Sequence, residues 1–128
     1  MVTDLRELQR KYGDGDFQVV GVTRLYGYGT DFADRERPKL VGRKGDRLSE
    51  DAETALVGRW LRAFEVDYPV VIVPREVSRQ YAVFAIPALF LLDRRGNVRG
   101  VGTGQDRSHL EALIPELIAE ADPEVGKR

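Results

Sequence analysis

The chain has 128 residues and a mass of 14.4 kDa, which is one domain by length and enough to bury a core. Hydrophobic residues at 42% and charged residues at 32% exclude a disordered polyampholyte, and apolar runs as short as residues 70–73 and 88–92 exclude a membrane-spanning helix. Twenty basic against 21 acidic side chains argue against a sequence-independent grip on nucleic acid, and the absence of cysteine excludes a disulfide, a thiolate nucleophile or a thiolate-held metal.

In chain order, Thr3 is placed to cap a helix in which Val2, Leu5, Leu8 and Tyr12 recur at helical spacing. Residues 1–10 are charged and read as helix, not as a secretory leader. A turn cluster at 13–16 leads into a short apolar strand over 17–23, of a kind that suits burial on both faces. Residues 24–47 are rich in glycine and charge and lack periodicity, so they read as a long inserted loop. Ser49 caps a second helix, with Glu50, Asp51 and Glu53 favoured by the dipole in its first turn. The apolar stripe of that helix is Ala52, Leu56, Trp60 and Phe64, widened by Val57 and Leu61.

A second apolar strand follows at 70–73 and is stopped by Pro74, and 76–81 reads as a short helix. Ile86 and Pro87 lead into a strand over 88–93. A turn at 94–97 returns the chain antiparallel over 98–101. Ser108 and Glu111 fit a capping box for the last helix, which carries Pro115 in its interior. The order predicts an α/β fold with a mixed sheet flanked by helices and one antiparallel edge.

Residues 68–117 resemble the C-terminal half of a thioredoxin-like domain, most closely the TlpA/ResA-type and AhpC/TSA-related thiol-disulfide oxidoreductases. The resemblance is carried by Tyr68-Pro69-Val70-Val71, by the run from Tyr81 to Asp93 through Ile86-Pro87-Ala88-Leu89-Phe90, and by Arg95-Gly96-Asn97-Val98. Residues 5–22 are similar to that family's helix, turn and Val-Val-Gly-Val strand. The resemblance implies one thioredoxin-like domain over 1–128 with about four strands. It also implies a cis Pro87 and a substrate-facing ledge at Ile86 and Pro87. In the family a central strand and a Cys-x-x-Cys motif precede the first helix. Their absence before Thr3 leads to the expectation of an N-terminally truncated domain, redox-inactive as it stands, needing no cofactor and no metal. Two strands would then lack their central neighbour and could close up or pair with a second copy as a homodimer. Relatives of this type imply an extracytoplasmic bacterial setting.

Two other classes stay open. A cysteine-free thioredoxin fold can serve as a protein- or peptide-interaction module at the Ile86–Pro87 ledge. Gly42, Arg43, Lys44 and Gly45 resemble the Gly-x-x-Gly clamp of KH domains, in a segment (34–47) with six basic and three acidic side chains. Against that reading stands Pro38, where a KH loop needs a helix on its N-terminal side. Gly27-Tyr28-Gly29 and Gly102-Thr103-Gly104 lack the third glycine of a dinucleotide motif. His109, the single histidine, has no catalytic partner at a recognisable spacing and reads as a surface residue.

Overall fold

The computed structural model describes residues 2–42, 46–81 and 88–120, which form an α/β arrangement in two compact units, 1–79 and 80–128. The first unit runs α1 (Val2–Tyr12), β1 (Gly21–Thr23), β2 (Gly29–Asp31), β3 (Lys39–Val41), α2 (Glu50–Ala63), β4 (Val70–Ile72) and α3 (Arg75–Gln80), whose last residue opens the second unit. The second continues with β5 (Ala88–Leu92), β6 (Val98–Thr103) and α4 (Ser108–Ala119).

The six strands make three two-stranded sheets. β1 and β4 are parallel, with Val22 opposite Val71. β2 and β3 are antiparallel, with Thr30 opposite Leu40. β5 and β6 are antiparallel, with Phe90 opposite Val101 and a bulge between Leu91 and Leu92. The sequence led to an expectation of about four strands and a structureless loop over 24–47. The difference is the β2–β3 ladder inside that segment. Gly27 and Gly42 turn the chain at its end, with φ of +85° and +80°. A Cβ on Gly42 would lie 2.6 Å from the Gly27 carbonyl, so only glycine allows that approach. Strands of three residues, half of them polar, leave no alternation to read.

Helix α1 starts at Val2, so Thr3 stands in its first turn and not at the cap. Its Gln9 ties down the turn that follows, accepting from the Val19 N–H at 2.6 Å. Helix α2 begins as expected, with Ser49 in extended geometry accepting from the Ala52 N–H at 3.1 Å. Its buried face differs by one position. Ala52 is exposed and Glu53 lies inward beside Leu56, while Trp60 and Phe64 are half-buried, the Phe64 ring meeting Trp60 at 6.0 Å and Phe32 edge-on at 5.1 Å. The helix ends in a left-handed turn at Glu65 (φ 51°), with Val66 N–H bonding Leu61 C=O and Glu65 N–H bonding Arg62 C=O.

In the second unit the 93–97 turn is held by the Asp93 carboxylate, which accepts from the N–H groups of Arg95 and Asn97 at 2.9 and 3.0 Å. Gly96 supplies the positive φ of +84°. Helix α4 packs on one face of the hairpin through Leu110, Ile114 and Leu117, all buried. Gly100 and Gly102 make room, because a Cβ there would stand 2.6 and 2.8 Å from Leu110. The expected capping box is not formed: Arg107 occupies the cap position, where its side chain makes no capping bond to the helix, and Ser108 is already helical. Glu111 faces the Arg107 guanidinium at 3.7 Å instead. The helix continues through Pro115 to Ala119.

Candidate functional site

Of the residues that the sequence singles out, Ile86 and Pro87 lie outside the described residues, as do Arg43, Lys44 and Gly45. Gly42 is described, and it closes strand β3. The chain therefore enters the Gly42–Gly45 segment from a strand, where a KH clamp has a helix.

The Gly27-Tyr28-Gly29 element has a different role. The Glu53 side chain, in a residue only 5% exposed, accepts from the Tyr26 N–H at 2.8 Å and from the Gly27 N–H at 2.6 Å. Consecutive backbone N–H groups of this kind can hold an anion. Here an internal carboxylate fills the place a phosphate would take. Arg47 closes the knot by donating to the Tyr26 carbonyl at 3.2 Å, and Arg24 lies over the Tyr26 ring at 4.2 Å. The sequence placed Glu53 among the capping acids. The signal that marks it is its position three and seven residues before Leu56 and Trp60, on the apolar stripe itself.

A second polar cluster lies at the tip of the β5–β6 hairpin. Arg99 bridges Asp93 at 3.2 Å and Glu120 at 2.7 Å. The backbone N–H of Asn97, then that of Arg95 and the Arg99 guanidinium, holds the Asp93 carboxyl below its usual range, against the opposing effect of burial. These residues border an open cavity of about 510 Å³, together with Arg94, Arg95 and Asn97. Arg94 donates to the Ile118 carbonyl at 2.9 Å at the end of α4. The cluster reads as a turn-and-helix-end brace of mixed charge. Among the described residues, no group of three or more His, Asp or Glu is placed to hold a metal.

The third feature is backbone. Hydrogen bonds to neighbouring segments reveal which way each strand residue points. In β6, Thr103 N–H is taken by the Asp106 carbonyl at 3.0 Å, and the Val101 carbonyl meets His109 Nε2 at 2.7 Å. Positions 101 and 103 therefore face away from β5, and 100 and 102 face it. Across the hairpin, Asp93 N–H bonds Asn97 C=O, so Leu91 and Leu89 point inward, and Ala88, Phe90 and Leu92 turn their N–H and C=O groups outward. Among the described residues no backbone group pairs with them. In the first unit, Gly21 N–H bonds Pro69 C=O and Val73 N–H bonds Thr23 C=O. Val22 therefore turns its backbone groups away from β4, and among the described residues no other strand pairs with β1.

Apolar side chains accompany these open edges. Val22 is 59% exposed and Val20 49%, both on the strand expected to be buried on both faces. On the hairpin face opposite α4, Val101 is 54% exposed and Leu92 43%. Among the described residues no large side chain is fully buried. The two-sided burial expected of the strand over 17–23 is thus not reached.

No helix among the described residues is long and apolar enough to cross a membrane. Set against family models, curated proteins and solved structures, the chain matches none.

Proposed function

We propose that this chain is a cysteine-free, thioredoxin-like module that binds extended protein segments and transfers no electrons. The observation that carries the reading is a pair of half-finished ladders. Among the described residues, a parallel ladder (β1–β4) is open on one side of β1, and an antiparallel hairpin (β5–β6), backed by a helix, is open on the outer side of β5. A thioredoxin-like sheet needs a strand on each of those sides. The order of parallel pair, short helix, hairpin and final helix also agrees with the resemblance over 68–117. Open backbone edges flanked by exposed valine and leucine are the chemistry of strand addition. On this reading Ile86 and Pro87, directly before β5, form the ledge that an incoming segment meets first. Disulfide exchange requires a thiolate that the chain does not contain.

The test pairs two measurements on the full chain. In dithiothreitol-driven insulin reduction the rate is expected to stay at the uncatalysed level. Titration with carboxymethylated insulin B chain, an unfolded peptide, is expected to shift the amide resonances of Ile86 and of residues 88–92 and to weaken in Pro87→Ala. Catalysed reduction, or a titration that leaves these resonances unmoved, overturns the proposal.

A further inference from the structure

The edges of the β5–β6 hairpin are not equivalent. The outer edge of β6 is closed from within: the His109 ring covers the Val101 carbonyl, the Asp106 carbonyl takes the Thr103 N–H, and Arg99 places a charge on the strand. These are the devices by which proteins blunt an edge strand. Among the described residues, the outer edge of β5 has none of them. Its five residues, Ala88-Leu89-Phe90-Leu91-Leu92, carry no charge, and Ala88, Phe90 and Leu92 face outward at every second position. In the other ladders Pro69 and Pro74 flank β4 and Lys39 lies in β3, while the open side of β1 is only three residues long.

We infer that the β5 edge is a self-association surface, and that its occupant is β5 of a second copy of this chain, running antiparallel about a two-fold axis at Phe90. The inference deepens the binding-module reading, since it rests on that reading's open edge and names what covers it. The register is self-complementary. Outward groups at 88, 90 and 92 are symmetric about 90, so Phe90 exchanges both of its hydrogen bonds with Phe90 of the second copy, and Ala88 meets Leu92. The strand is uncharged throughout, so no like charges are opposed across the axis. On the face away from α4, Leu92 and Val101 continue the contact as exposed apolar side chains, 43% and 54% accessible. A foreign extended segment satisfies the same hydrogen bonds and so competes with the second copy for this edge. The second copy is always present in matched register.

The absence of native cysteine makes the register directly testable. Ala88→Cys and Leu92→Cys are made separately in the full chain and oxidised alone and mixed. The paired positions fall within disulfide reach, so the mixture is expected to give at least about tenfold more cross-linked dimer than either variant alone. Equal cross-linking in all three samples, or none in the mixture, overturns the proposal. Leu92→Lys, at an exposed position where folding is not at stake, is expected to hold the chain monomeric by sedimentation while its circular dichroism is unchanged. A dimer that survives Leu92→Lys likewise overturns it. A wild-type chain that sediments as a monomer yet binds the carboxymethylated peptide overturns the self-association alone and leaves the binding-module reading standing, so the two failures are distinguishable.

Discussion

Glu53 shows how one side chain can be misread from sequence and yet organise a whole segment. As the fourth residue of α2 it fits the acidic first turn of a helix, beside Glu50 and Asp51. Its position relative to Leu56 and Trp60 turns it inward, where its carboxylate serves as the acceptor for two consecutive backbone N–H groups at Tyr26 and Gly27. Truncating it leaves two partly buried donors unpaired, each worth roughly 1–3 kcal/mol. Glu53→Ala is therefore expected to lower the urea midpoint by an amount equivalent to a few kcal/mol. Glu50→Ala, which alters only a solvent-facing dipole contact, should cost about 0.3–1 kcal/mol. Equal losses in the two variants would show that Glu53 acts as a helix-start charge and nothing more. Other residues were legible outright. Ser49 caps α2 because its hydroxyl has a free N–H within reach, which is a strictly local matter. Glu65 was not, because a left-handed turn at a residue other than glycine leaves no compositional trace.

At the scale of elements, the strands with concentrated apolar runs were legible and the polar ones were not. β4, β5 and β6 stand within about two residues of where valine, leucine and the Arg94–Asn97 turn place them. β2 and β3 escaped because three-residue strands containing Thr30, Asp31 and Lys39 are held by their glycine corners and by α2, not by their own pattern. The β5–β6 hairpin also carries a pH dependence. Folding lowers the Asp93 carboxyl from 3.8 through the Asn97 N–H first, with the Arg95 N–H and Arg99 adding to it. A carboxylate depressed in the folded state contributes its stabilisation above the unfolded value and loses it as pH falls through the folded one. The turn should therefore hold to below pH 3.8 and then loosen, seen as loss of amide protection at Arg95 and Asn97. Asp93→Asn should make that protection independent of pH over the same acid range. A turn that opens well above that value would mean that these two N–H bonds are not what holds it.

For the molecule as a whole, the informative mismatch lies between hydrophobic pattern and burial. Continuous apolar strands are the signature of sheets covered on both faces, and on that basis the alternation of helices with such strands was readable as α/β. What a sequence pattern cannot specify is who does the covering. Val20, Val22, Leu92 and Val101 all remain substantially exposed, and among the described residues each ladder has a side with no strand against it. Exposed apolar surface beside open backbone is costly in water, and a protein that covers it by association gains stability by mass action. Self-pairing at β5 thus predicts a thermal midpoint that depends on protein concentration. Since association at 100 times the dissociation constant adds about 2.7 kcal/mol, raising the concentration through that constant should move the midpoint upward by several degrees. Scanning calorimetry over a hundredfold dilution series measures it, with Leu92→Lys as the reference chain whose midpoint should not move. A wild-type midpoint as flat as that of the variant would mean that the open strand is tolerated by the monomer. The two-sided hydrophobic pattern would then have to be satisfied by something other than a second copy.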